Sequence, residues 1–123
     1  MIGRYFEKIE RTISYFKNIQ TCNLTKKFYN DRQGFISGII LFEDNSCLEF
    51  TEIKNTEFRQ KIKYRYHYMD SQNNLIFRYD NAPHHKELKT FPHHKHLQND
   101  TVSCNEVDIQ DVLLEIRKYT LKN

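Results

Sequence analysis

A run of alternating tyrosines constrains the fold of this 123-residue chain more than any other feature. Between positions 61 and 70, three tyrosines alternate with Arg65 and His67. The tyrosines are Tyr64, Tyr66 and Tyr68. A period of two residues predicts a β-strand with one buried face and one exposed face. Turn-forming residues at positions 70–74 then lead into the strand-like run Leu75–Asp80, so the two runs predict an antiparallel hairpin.

Other periodic segments predict an α+β fold in a single domain, residues 1–123. Apolar residues spaced by three and four predict a helix at each end of the chain. The N-terminal helix places Ile2, Phe6, Ile9, Ile13 and Phe16 on one face, and the C-terminal helix places Ile109, Val112, Leu113 and Ile116 there. Strand-like runs lie at about 22–29, 35–42 and 46–54. We predict an antiparallel meander of about five strands, a His-rich loop after it, and both helices on one face of the sheet.

Five of the six histidines lie in one short segment, from His84 to His96. The segment also contains Pro83 and Pro92, which predict a loop or at most one helical turn. Imidazole gives and takes protons near neutral pH without further help. The segment is therefore a candidate acid/base centre for phosphate chemistry, a metal site or a basic binding loop.

Acid/base chemistry is favoured by charged residues on the neighbouring strands. Counting by twos places Arg78 and Asp80 on one face of their strand, and Arg65 and His67 on one face of theirs. Glu52 lies near the end of the strand that precedes Arg65 and also points to one face of it. If these faces coincide, the five residues form a polar cluster beside the histidines. An arginine can hold a phosphate while histidines transfer protons. The candidate catalytic residues are Glu52, Arg65, His67, Arg78, Asp80, His84, His85, His93 and His96. The alternative for Arg78 and Asp80 is an ordinary surface ion pair.

Metal binding is the second possibility. His93, His94 and His96, with His84, His85 and Asp80 or Glu87, offer nitrogen and oxygen ligands that suit zinc, nickel or manganese. Their spacing matches no zinc motif, and His94 and His96 share a face only if that segment is extended. We therefore expect no cofactor and assign no metal ligand.

Binding without catalysis is the third possibility. Basic residues that alternate with aromatic ones suit single-stranded RNA, and the predicted RNA-binding residues are Lys86, Lys89, Lys95 and Tyr66. For a strand tyrosine, packing in the core is the more common role. The loop could equally dock on a protein partner.

The overall composition limits the class of protein. The net charge of +3 is too small for a dedicated DNA-binding domain. Cys22, Cys47 and Cys104 form no CxxC pair, which favours free thiols in a reducing compartment. The N-terminal segment is charged and no stretch is long enough to span a bilayer, so we expect a cytoplasmic protein without membrane contact. The aromatic N-terminal helix leaves a homodimer possible.

Three ordered motifs resemble the TumE family of small prokaryotic toxin components. They are Tyr64-Arg65-Tyr66-His67-Tyr68, Arg78-Tyr79-Asp80-Asn81-Ala82-Pro83-His84-His85 and Phe91-Pro92-His93-His94-Lys95-His96. The likeness runs from about Glu52 to the C-terminal helix. It implies a type II toxin paired with a small helix-turn-helix antitoxin.

Together, the residues and the resemblance predict a toxin that acts as a metal-independent endoribonuclease. We expect Arg78 to hold the phosphate and His84, His85, His93 or His96 to serve as acid and base, with Asp80 or Glu52 orienting a histidine. The alternatives are a non-catalytic RNA- or protein-binding module and a metal-dependent nuclease or phosphotransferase.

Overall fold

The computed structural model describes residues 1–121 and consists of two helices and a seven-stranded sheet. The helices are α1 (Ile2–Ser14) and α2 (Ile109–Leu121). The strands are β1 (Ile19–Phe28), β2 (Gln33–Phe42), β3 (Cys47–Asn55), β4 (Lys63–Met69), β5 (Leu75–Asp80), β6 (His94–Leu97) and β7 (Asp100–Ser103). Each strand pairs antiparallel with the next one in the chain, so the sheet is a simple meander. No helix in the described range is long and apolar enough to cross a bilayer.

The prediction of about five strands is wrong, because β6 and β7 form where a loop was expected. Each of these strands has four residues, which is too short for a clear alternating pattern. The prolines that favoured a loop, Pro83 and Pro92, both precede β6. β5 provides a free edge, and β6 pairs with it along His94–His96. The fold is still α+β.

Both helices pack on the same face of the sheet, where they enclose an aromatic core. The predicted apolar stripes are confirmed for Ile2, Phe6, Ile9 and Ile13 of α1 and for Ile109, Val112, Leu113 and Ile116 of α2, which are buried. Phe16 lies beyond the end of α1 and is partly buried against the core. From the sheet, the core takes Leu48, Phe50, Tyr64, Tyr66, Tyr68 and Phe77 among others. Asp108 caps α2 by accepting the Asp111 N–H at 2.9 Å, and the Asp111 side chain accepts the Asp108 N–H at 3.1 Å.

A buried carboxylate links α1 to the sheet. Glu52 on β3 is only 1% exposed and lies on the helix-covered face. Its Oε2 accepts a hydrogen bond from the Tyr66 hydroxyl at 2.6 Å, and its Oε1 accepts one from the Tyr5 hydroxyl of α1. Burial, together with the adjacent Glu52, raises the pKa of both tyrosines, so both hydroxyls remain donors.

The opposite face of the sheet carries a row of polar residues across three strands. The pairing of β4 with β5 sets Arg65 opposite Asp80 and His67 opposite Arg78. The pairing of β5 with β6 sets Arg78 opposite His96 and Asp80 opposite His94. Directly opposed residues on antiparallel strands point to the same face. These side chains therefore share the face away from the helices, which we call the open face.

Loss of one hydroxyl in the core should destabilise the fold measurably. Tyr66→Phe keeps the ring but leaves Glu52 with one fewer donor, so we expect the free energy of unfolding to fall by about 1–3 kcal/mol in urea denaturation. Tyr15→Phe is the matched control because Tyr15 is 79% exposed. Equal stability of the two variants would contradict this role for the Tyr66 hydroxyl.

Candidate active site

Asp80, the last residue of β5, is the centre of the polar row on the open face. It is only 6% exposed. Its Oδ1 lies 2.6 Å from Nε2 of His94 and accepts the Ala82 N–H at 3.1 Å. Its Oδ2 accepts a hydrogen bond from Arg78 Nε at 3.0 Å and lies 3.5 Å from Nε2 of His96. The Asp80 carboxylate is thus surrounded by nitrogens, and its contacts join the end of β5 to β6.

His94 is held at both ring nitrogens. Its Nδ1 lies 2.9 Å from the carbonyl oxygen of Pro92, which can only accept, so Nδ1 carries a proton. The 2.6 Å contact between Nε2 and Asp80 also needs a proton between the two atoms. His94 and Asp80 therefore share one proton, and the 1% exposure of His94 keeps water away from the pair.

His96 lies next to His94 but is more accessible. The two ring centroids are 4.7 Å apart, and Nδ1 of His96 lies 3.3 Å from the Thr101 hydroxyl on β7. Burial and the positive charge of Arg78 lower the pKa of His96, which favours the neutral ring. A neutral, partly exposed imidazole is able to accept a proton from a substrate.

His85 completes the group from the segment between β5 and β6. Its ring centroid lies 5.2 Å from that of His94 and 5.6 Å from that of His96. The backbone φ of 58° is in the left-handed region, which costs a non-glycine residue about 1–2 kcal/mol. Such strain persists where surrounding structure enforces it and is common at functional sites. We call Arg78, Asp80, His85, His94 and His96 the Asp80 cluster.

A cleft of about 500 Å³ opens over the Asp80 cluster. Its lining includes two further cations, Lys63 and Arg65, and the exposed His84. The side chains of Lys63 and Arg65 make no hydrogen bond or ion pair with any described residue. Two free cations beside several imidazoles create a site that attracts an anionic group such as a phosphate.

Comparison with models of known protein families identifies the family of this chain. The family model described as Toxin TumE matches residues 9–120. The chain belongs to the TumE toxin family. The match covers nearly the whole chain, including the second half of α1 and the first strands, and so extends well beyond the motifs that suggested the family. Membership supports a toxin role and implies an antitoxin partner. Searches of curated proteins and of solved structures find no match.

His67 shares the open face with the Asp80 cluster of this TumE-family chain but is not bonded to it. Within residues 1–121, its buried Nδ1 has no hydrogen-bond partner. Burial and the neighbouring charges of Arg65 and Arg78 lower the pKa of His67. The His67 ring is therefore expected to stay neutral, and it fills the surface between Arg65 and Arg78.

Two of the predicted site residues lie on the opposite face of the sheet. The β3–β4 pairing sets Glu52 opposite Tyr64, on the helix-covered face, so the three faces in the prediction do not coincide. Tyr66 lies on that face as well and is fully buried, which excludes direct contact with RNA in this fold. Glu52 and Tyr66 instead bond to each other in the core of this TumE-family fold.

His93 and Lys95 are also separated from the Asp80 cluster. Nδ1 of His93 lies 2.8 Å from the Tyr64 hydroxyl, and the two rings stack at 5.8 Å. Lys95 projects to the helix-covered face, where its Nζ lies 2.8 Å from Glu115 of α2. Alternation along β6 explains this separation, because Lys95 points away from His94 and His96. Lys86 and Lys89 are exposed in the segment before β6.

His94 is the member of the Asp80 cluster that is missing from the predicted acid/base residues, because the sequence offers it only as a metal ligand. The signal was its two-residue spacing from His96, which places both rings on one face of an extended segment. The prolines before β6 obscured that signal by favouring a loop.

His67 should make the stability of this TumE-family protein depend on pH. The unfolded chain protonates this residue near pH 6.5, whereas the folded protein resists protonation because its pKa is lowered. The unfolded state thus binds more protons as the pH falls, and stability decreases. Between about pH 7.5 and about pH 5.5, we expect the free energy of unfolding to drop more in the wild type than in His67→Gln.

The exposed His84 provides the matched control. His84→Gln should follow the wild type across the same urea titrations. Identical pH dependence in the wild type and His67→Gln would show that His67 does not contribute.

Proposed function

We propose that this toxin acts as a metal-independent endoribonuclease, with its phosphate site and proton-transfer groups in the cleft over the Asp80 cluster. The observation that carries the proposal is the combination of free cations with imidazoles around a buried carboxylate. Cleavage of RNA through its own 2'-hydroxyl requires a base, an acid and a cation near the scissile phosphate. No side-chain nucleophile is required.

Phosphate binding is proposed for Arg65 and Arg78 together, with Lys63 beside them. Nε of Arg78 is engaged by Asp80, which fixes the guanidinium and leaves its two terminal nitrogens for a ligand. Arg65 lies opposite Asp80 in the sheet and forms no ion pair with a described residue. Because both arginines project from paired strands, they can approach one phosphate from adjacent positions.

Proton transfer is proposed for His96 and His85. One imidazole takes the proton of the 2'-hydroxyl while the 2'-oxygen attacks phosphorus. The other imidazole gives a proton to the 5'-oxygen as the bond between phosphorus and that oxygen breaks. Their ring centroids are 5.6 Å apart, and both line the cleft. His94 and Asp80 serve as positioning residues, since His94 is buried and hydrogen-bonded at both nitrogens.

The antitoxin is proposed to be a small helix-turn-helix protein, which the family likeness supports. RNA is the proposed substrate. A homodimer and a cytoplasmic location stay predictions.

Substitution of a residue that lines the cleft should strongly reduce RNA cleavage while the fold remains intact. In EDTA, we expect His96→Ala and Arg65→Ala to reduce the cleavage rate of a labelled RNA by about 100-fold or more, because each removes a group that acts in the transition state. Arg11→Ala is the matched control, since Arg11 is an exposed arginine on α1. Thermal melting of each variant checks that it is folded.

Three results would contradict the proposal. RNA that binds the wild type but stays intact would instead indicate a binding module. Loss of cleavage in EDTA would indicate a metal-dependent enzyme. Full activity in the His96→Ala, Arg65→Ala double variant would exclude this cleft as the site.

A further inference from the structure

Each imidazole of the Asp80 cluster has its Nδ1 beside a partner outside the three rings. Nδ1 of His94 donates to the Pro92 carbonyl at 2.9 Å. Nδ1 of His96 lies 3.3 Å from the Thr101 hydroxyl, and Nδ1 of His85 lies 3.3 Å from a Glu87 carboxylate oxygen. Nε2 is therefore the nitrogen that each ring turns away from these partners, and in His94 it shares a proton with Asp80 that a metal ion would have to displace. Histidines that ligate metals show this arrangement, with the second nitrogen bound to a carbonyl, a carboxylate or water, and the Thr101 hydroxyl takes the place of the water beside His96.

The three rings also converge. One nitrogen of each lies within 4.8 Å of one nitrogen of the others. Tetrahedral zinc with nitrogens at 2.0–2.1 Å requires separations of about 3.3 Å, so the rings must close by up to about 1.5 Å. His94 and His96 are fixed on β6, whereas His85 belongs to no strand pairing, so rotation of the His85 side chain on its fixed backbone would supply most of that movement.

We propose that His85, His94 and His96 form a binding site for a borderline divalent transition metal of the zinc or nickel class, through their Nε2 atoms. Asp80 stabilises the ion because its carboxylate lies 2.6 Å from Nε2 of His94 and 3.5 Å from Nε2 of His96. The ion replaces the proton that His94 and Asp80 share. Three imidazoles with a nearby carboxylate form a donor set that suits zinc better than magnesium or calcium.

Metal binding and acid/base catalysis exclude each other at this site. An ion bound to Nε2 of His85 and His96 occupies the nitrogens that would otherwise carry protons. This consequence rests on the proposed function: if the cleft cleaves RNA without a metal, zinc is an inhibitor of that reaction. Occupancy would then switch the toxin off by direct competition for its catalytic nitrogens.

Cobalt titration tests the site without any activity measurement. Metal-free, untagged protein is titrated with Co²⁺, whose visible absorption reports nitrogen ligation, and Zn²⁺ is then added as a competitor. We expect one equivalent to bind and the dissociation constant to rise about tenfold or more in His85→Ala and in His96→Ala. His93→Ala is the matched control, because His93 lies in the same segment but contacts Tyr64. It should bind like the wild type.

Either of two results would overturn the proposed metal site. Binding by the wild type that is no tighter than binding by His96→Ala, or equal weakening in His93→Ala, would show that the three rings form no site. The buried His94 is left unchanged so that misfolding cannot imitate a loss of ligand, and thermal melting checks the other variants.

RNA cleavage with and without one equivalent of Zn²⁺ separates the two proposals. If the protein cleaves RNA in EDTA and loses this activity when zinc is added, both the proposed function and the proposed metal site are supported. Zinc binding with undiminished cleavage overturns the inhibition, and zinc binding by a protein that never cleaves RNA overturns the proposed function while the metal site stands.

Discussion

The nearly buried carboxylate of Asp80 is the constraint on which the open face depends. A carboxylate with 6% exposure must be hydrogen-bonded or paired, because an uncompensated buried charge is costly. Its partners come from β5, from β6 and from the backbone that follows β5. Satisfying this single group therefore sets the positions of Arg78 and His94 together. Without Asp80, the open face would retain its histidines but lose the group that holds His94 and His96 in place.

Coverage by both helices on one face explains why the candidate site lies on the other. The aromatic side chains of β3, β4 and β5 point toward α1 and α2 and form a continuous core. Alternation then requires the intervening residues, including Arg65 and His67, to point away from the helices. Burial of the core thus generates an accessible polar surface as a consequence of strand geometry.

The sequence contained much of this arrangement, but not the relation between strands. Alternation alone assigned Arg65 with His67 and Arg78 with Asp80, and the structure places all four on one face. It could not place Glu52, because the connection between β3 and β4 is too irregular to count across. A shift of one residue in strand pairing exchanges the two faces. β6 was missed because four residues rich in histidine and lysine carry little strand signal.

Consecutive residues along the paired strands β5 and β6 point to opposite faces of the sheet and make different contacts. Tyr79 and Lys95 point to the core side, where each bonds to Glu115 of α2. Their neighbours Arg78, Asp80, His94 and His96 point to the open face. Anchoring of α2 and the chemistry of the cleft thus use separate side chains on shared backbone. A substitution on the open face can therefore alter the cleft and still leave both contacts to Glu115 of α2 in place.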